Sequence, residues 1–295
     1  MSTKILHVLE NGFCRKLCDI PNGANALVHT GQTKSVFFTN PDDNNIGVVH
    51  TSSENPTAEI WFEKHDFNSP KALCIAPNGN TLYVEEPEGM IRGVRITSPT
   101  SFKQVGLHGK QQYRAMIRST RKMAKRVNGM ICLADGDVLL ADDQRHLILR
   151  NVNSRYEKYI GSGVPEFAVS PQPFNTSLFS PCGLAYHRKT NTLYVSDTGN
   201  HVIRVFKDRK EKHLIGRPKQ DGDKDNDQST STFCEPTDIA ASHNALYIID
   251  GCSTRIRRFD MQTGLVTTVY KSDYHLLSIA CSDKEHVVFI EHQNI

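Results

Sequence analysis

SPCGLAYHRKTNTLYVSDTGNHVIRVF, Ser180 to Phe206, runs from a proline through an apolar segment and a polar turn to an apolar strand ending in Asp197. A short loop follows, then Arg204 two residues before Phe206. EPTDIAASHNALYIIDGCSTRIRRF, Glu235 to Phe259, repeats that order, so Asp250, Arg257 and Phe259 match Asp197, Arg204 and Phe206. Upstream, NGMICLADGDVLLADDQRHLILRNV (Asn128 to Val152) places Asp143 and Arg150 in the same roles. SPKALCIAPNGNTLYVEEPEGMIRGV fits with Glu86 at the acidic position, GANALVHTGQTKSVFFTNPDDNNIGVV with Asn40, and LLSIACSDKEHVVFIEHQNI reaches His292 and stops.

The markers at 40, 86, 143, 197, 250 and 292 are spaced by 46, 57, 54, 53 and 42 residues, which is the period of a repeat array. Each unit carries short alternating runs rich in β-branched and aromatic residues, such as NTLYVS, HVIRVF and TTVYKS, bounded by Gly, Pro, Asn and Asp. Four strands per unit at this period point to the blades of a propeller. The last unit has its first two strands only, and an open blade exposes unpaired edges. TKILHVLE and GFCRKLCDI at the N-terminus supply the missing pair. The expected fold is all-β: one six-bladed β-propeller over residues 1–295, four antiparallel strands per blade, the sixth closed by both ends of the chain.

LYVSDTGNHVIRVF resembles the NHL repeat, in Asn200-His201 and in the flanking Asp197, Ile203, Arg204 and Phe206. The loops IGSGVPEFAVSPQPFNTSLFSPCGLA and IGRPKQDGDKDNDQSTSTFCEPTDIA are similar to that family's linkers. The resemblance implies an NHL-type six-bladed propeller, a family whose members bind proteins, bind RNA or, in a lyase branch, perform metal-assisted chemistry. It assigns a fold before a function. The repeated Asp and Arg are expected to maintain the blades, Asp197 and Asp250 by accepting backbone hydrogen bonds at the turn. Ala26, Ala72, Gly129, Gly183 and Ser278 align on the innermost strands, where space is small. Asp238 occupies the same slot and is expected to contact a partner.

With 38% hydrophobic, 23% charged and 8% aromatic residues, the 295-residue chain has the composition of a soluble globular protein. No run approaches the roughly 18 consecutive apolar residues of a membrane span. MSTKILHVLENGFC has no apolar stretch of secretory length, and the expected compartment is the cytoplasm. Of the eight cysteines, Cys74, Cys132 and Cys281 lie in short apolar runs and are expected to be reduced core residues. Cys14 and Cys18 do not form a CxxC knuckle, so no cysteine zinc site is expected.

His146, His201 and His292 fall in or near the loops between second and third strands, where a three-histidine metal site could form. Their offsets from the markers differ, which argues against equivalent positions, and the expectation is turn or surface histidines with no metal and no cofactor. GxSxG, HExxH, the P-loop and GxGxxG are absent. A Ser-His-Asp or Cys-His arrangement gathered from distant residues stays open.

QQYRAMIRSTRKMAKRV, 111–127, holds six arginines and lysines and no acid in a chain of net charge +3. Tyr113, Met116, Ile117, Thr120, Met123, Ala124 and Val127 recur at helical spacing, with Arg114, Arg118, Arg121, Lys122 and Lys125 opposite. The spacing predicts a basic helical insertion between blades over about 108–127, ended by Asn128-Gly129. Setting the seven cations of 110–126 aside takes the net charge to −4, so the charge is local and able to steer anionic partners. One aromatic, Tyr113, makes a poor base-stacking platform. The expectation is a noncatalytic binding scaffold that recognises an acidic protein surface through the propeller face, Asp238 and the basic helix, with neither a membrane nor a small-molecule substrate. RNA binding by the same face is an alternative. A metal-dependent lyase or hydrolase is a second.

Overall fold

The computed structural model describes residues 2–10, 13–30, 34–60, 67–87, 90–98, 101–108, 127–152, 155–282 and 286–294. Six antiparallel sheets form the blades. Blade 6 is built from both ends of the chain: β1 (Ser2–Glu10) and β2 (Phe13–Ile20) come from the N-terminus, β24 (His275–Cys281) and β25 (Val287–Asn294) from the C-terminus, in the order β2-β1-β25-β24. The seam between β1 and β25 pairs eight residues, Ser2 with Asn294 through Leu9 with Val287. Blade 1 holds β3 (Leu27–Thr30), β4 (Ser35–Asn40), β5 (Asn45–His50) and β6 (Ala58–Ile60). Blade 2 holds β7 (Leu73–Ile75), β8 (Thr81–Glu86), β9 (Met90–Ser98) and β10 (Ser101–His108), and blade 3 holds β11 (Val127–Cys132), β12 (Val138–Asp142), β13 (Leu147–Val152) and β14 (Arg155–Ile160).

Blade 4 comprises β15 (Pro181–His187), β16 (Thr192–Asp197), β17 (Val202–Lys207) and β18 (Lys210–Ile215), with a 3₁₀ turn at Thr198–Asn200. Blade 5 departs from four strands. Asn226–Asp227 (β19) adds a fifth, outside β23 (Leu265–Lys271), β22 (Arg255–Asp260), β21 (Ala245–Asp250) and β20 (Ile239–Ala241). The helical insertion expected at 108–127 is corrected at both ends, because His108 closes β10 and Val127 opens β11. Residues 109–126, and with them Arg114, Arg118, Arg121, Lys122 and Lys125, lie outside the described residues.

Six apolar clusters make the core, one at each junction between neighbouring blades. Alternation along a strand explains this, since successive side chains point to opposite faces and each blade is covered on both. In β16, Leu193 and Val195 pack toward blade 3 while Tyr194 packs toward blade 5. All six residues of β16, and likewise of β4 and β21, are therefore buried. Near the axis the strands converge until a side chain has no room. A Cβ on Gly129 would meet the carbonyl oxygen of Cys182 at 2.3 Å, and one on Gly183 would meet that of Thr237 at 2.3 Å.

Candidate functional site

The segments joining one blade to the next leave and return at one end of the propeller, and buried arginines pin them there. Arg204 is 0% exposed and uses all five of its donors. Nε and Nη2 reach Glu211 at 2.5 and 2.7 Å, Nη1 reaches Asp197 at 2.9 Å, and Ser177 and Ala168 of the 161–180 connector accept at 3.1 and 3.0 Å. Its guanidinium lies 4.9 Å from the Phe167 ring of the same connector. Arg257 repeats the arrangement with Asp250, Asp225, the Thr232 and Lys224 carbonyls and the Phe233 ring. Arg92 does so in part, with Glu86 at 3.2 Å and Phe67 at 4.9 Å. The partner acid also takes a backbone N–H from the same lead-in, that of Asn68, Phe179 or Cys234 at 2.7, 2.7 and 2.8 Å. The repeated residues thus maintain the blades, as the sequence suggested, and hold the connectors as well.

Blade 3 corrects its expected markers. Asp142, fully buried, pairs with Leu147 across the turn as Asp197 pairs with Val202, so Asp142 and not Asp143 holds the repeat position. Arg150 is also one residue out of register and points to the other end of the blade, where it pairs with Asp135 at 2.8 Å and with Asp137. Leu149 takes the arginine's place, and among the described cations Arg145 alone approaches Asp142, at 3.6 Å. Burial therefore pushes the Asp142 carboxyl up to about 6, with Arg145 opposing.

The two histidines thought inequivalent prove equivalent. His146 and His201 sit in the left-handed region at φ 60° and 59°, each just before its third strand. Their Nδ1 atoms accept the backbone N–H of Ser180 at 3.0 Å and Glu235 at 3.1 Å, both in the lead-in to the next blade. Asn44, φ 56°, does the same for Ser69 at 2.6 Å. These residues latch blade to blade. His292 stands apart, beside the true blade 6 marker Glu291, paired across the strands with Lys4 and His275. Among the described residues no three metal-ligating side chains converge.

The inner strands enclose an axial channel of about 1310 Å³. Asp238 stands in its wall near the connector end, half-buried. Its carboxylate accepts from Ser278 Oγ at 2.6 Å and from the N–H groups of Ile279 and Ile239 at 2.9 and 3.0 Å, while Ser278 Oγ accepts from Leu27 N–H at 3.0 Å. One acid thereby ties blades 5, 6 and 1 across the seam that closes the ring. Burial raises its pKa and these hydrogen bonds counter it. At the far mouth Arg188 reaches across from blade 4 to the Ile75 and Pro77 carbonyls of blade 2, at 3.5 and 3.4 Å.

Three of the four acids in the exposed run 221–227 have partners within the chain. Asp223 pairs with Arg255 at 2.9 Å, Asp225 with Arg257 at 2.8 Å, and Asp227 accepts from the Ser229 and Thr230 hydroxyls. The eight cysteines lie outside disulfides, Cys74 and Cys132 buried as expected and Cys281 half-buried. Cys234 and Cys252 approach to 3.3 Å between sulfurs.

No family model matches the chain. Over 111 residues, 37% of its length, it is 32% identical to "NHL repeat-containing protein 2" of Homo sapiens, and 31% identical to the Bos taurus protein of the same name. The chain resembles NHL-repeat proteins. The match spans 15% of each relative's own length. Among solved structures, a Bacteroides thetaiotaomicron protein of unknown function superposes with a TM-score of 0.65 at 12% identity, covering 99% of this chain and 77% of that one. A Staphylococcus aureus virginiamycin B lyase does so with 0.56 at 14% identity, over 97% and 87%. At such identities these neighbours share the fold alone. No helix among the described residues is long and apolar enough to cross a membrane.

Proposed function

We propose that this NHL-like propeller is a noncatalytic scaffold that recognises an acidic protein surface at its connector end, using Arg114, Arg118, Arg121, Lys122 and Lys125, while Asp238 keeps its ties to Ser278, Ile279 and Ile239. The topology of the basic stretch carries this reading. The stretch leaves β10 at His108 and rejoins at Val127 of β11, at the end where the 161–180 and 216–238 connectors also leave and return. Between these two strand ends the sequence carries seven positive charges, in a chain otherwise at −4. Asp223, Asp225 and Asp227 already pair with Arg255, Arg257 and nearby hydroxyls, which favours an acidic partner from outside the chain over this run. Local charge of this kind raises encounter rates with anionic surfaces and is screened over a Debye length of about 8 Å at physiological salt.

Affinity purification from cell extract tests the proposal, comparing the full chain with the variant in which Arg114, Arg118, Arg121 and Lys125 are changed to Glu, each with and without ribonuclease. Acidic proteins captured by the first, lost with the second and indifferent to ribonuclease are the expected result. An unchanged partner set removes the basic stretch from recognition, and loss on ribonuclease treatment moves the reading to RNA.

A further inference from the structure

Blade 6 rewrites the residues that are ion pairs elsewhere. In blade 4 the column runs Asp197, Arg204, Glu211, with Arg204 opposite Val195 and Glu211 opposite Phe206. In blade 6, His7 lies opposite Phe289 and Cys14 opposite Leu9, so the corresponding column is Glu291, His7, Cys14. Guanidinium keeps its proton at any physiological pH, whereas imidazole exchanges one. The substitution turns a fixed charge ladder into a line along which a proton can move.

Its side chains are of the types of a nucleophile, a base and an acid, set in contact along one column. Cys14 Sγ lies 3.6 Å from His7 Nδ1, and His7 Nε2 lies 3.2 Å from Glu291 Oε2. Glu291 accepts from Ser272 Oγ at 2.5 Å, Tyr270 Oη at 3.1 Å and Gln293 Nε2 at 2.9 Å. An ionised Glu291 favours the proton on Nε2, leaving the Nδ1 lone pair toward the thiol. The Phe289 ring stacks on the imidazole at 5.2 Å and 8°, fixing its plane. Cys14 is exposed, and its neighbour Phe13, 81% exposed, gives an organic ligand an apolar foothold.

We infer that Cys14 is a nucleophilic thiol that captures α,β-unsaturated carbonyl compounds, with His7 as its base and Glu291 and Tyr270 as positioning residues. Sγ bonds to the β-carbon as Nδ1 takes the thiol proton. The C=C electron pair moves toward the carbonyl as an enolate, and the imidazolium returns the proton to the α-carbon. Addition expels no leaving group and needs no oxidant, so the groups present suffice. The charged and titratable groups facing the pair are Glu291, Lys16 and Tyr270. Burial lowers the pKa of His7, with Glu291 opposing and Lys16 assisting, and burial with the Glu291 charge raises that of Cys14. The resting pair is therefore neutral, and the thiol is activated only as it reacts.

The probe is acrylamide, applied to the reduced full-length chain, with adduct formation followed cysteine by cysteine by peptide mass spectrometry. Exposed Cys252 is the internal reference, and buried Cys74 and Cys132 report that the fold is intact. The inference expects Cys14 to react at least about tenfold faster in the folded chain than in urea at pH 7, with a rate that levels above a histidine pKa that burial holds below its ordinary value. His7→Gln lowers that rate by about 100-fold and leaves Cys252 unchanged. A Cys14 that reacts more slowly folded than unfolded, or whose rate climbs about tenfold per pH unit to pH 9, overturns it. The wild-type comparison and pH profile decide the matter if His7→Gln fails to protect Cys74 and Cys132.

Discussion

Arg204 shows how a charge is kept at 0% exposure: two carboxylates, two carbonyls and an aromatic face leave none of its five donors unmet. Breaking a buried pair strands the remaining charge, at a cost of about 3–5 kcal/mol. Arg204→Met is expected to lose that much in urea denaturation, and a loss under 1 kcal/mol would contradict the assignment. Asp142 is the opposite case. Its folded pKa of about 6 exceeds the ordinary value near 4, so its contribution is complete below pH 4 and disappears as pH rises through 6. Asp142→Asn should flatten stability between pH 4 and 6 and raise it at pH 7 by up to about 3 kcal/mol, the worth of two pKa units. Unfolding midpoints across that range check this, and a variant less stable at pH 7 would contradict it. The sequence could show that an acid stood near the end of β12. It could not choose between Asp142 and Asp143, because a one-residue slip reverses a strand's faces and only the register with Leu147 settles it. The same slip hid the misfit of Arg150 and the equivalence of His146 with His201.

At the scale of elements, the inner strands and the connectors impose different demands. Gly129 and Gly183 stand where the neighbouring strand's backbone comes within 2.3 Å of an added Cβ, and backbone cannot swing aside as a side chain can. Gly183→Ala is expected to cost roughly 1–3 kcal/mol, the range for overpacking, measured by thermal or urea unfolding, and a neutral effect would show that β15 and the lead-in to β20 can separate freely. The sequence marked this slot as small from the aligned Ala and Gly. It also marked Asp238 as the exception, though not its reason, since its tie to Ser278 crosses 40 residues and the tie from Ser278 to Leu27 crosses 251. Blade 6 was legible as strands and illegible as a site, because its acid, Glu291, and its base, His7, lie at opposite ends of the sequence, where no spacing rule joins them.

The whole molecule is a ring whose closure depends on one seam. β1 pairs with β25 over eight residues and with β2 on its other side, and the Asp238 relay reinforces the same junction near the axis. Deleting residues 2–10 is expected to abolish cooperative unfolding, because blade 6 loses its third strand and the cluster it shares with blade 1 loses Leu6 and Val8. A cooperative transition retained in differential scanning calorimetry would contradict this. The ring also separates two ends, and the account places recognition at the end where connectors leave and return. Cross-linking a captured partner to the full chain through lysines tests that placement most directly. Lys71 and Lys219 stand at the connector end, Lys122 and Lys125 belong to the sequence between β10 and β11, and Lys34 and Lys189 stand at the opposite mouth. Partner cross-links concentrated on the first four are the expected result, and cross-links concentrated on Lys34 and Lys189 would contradict recognition at the connector end.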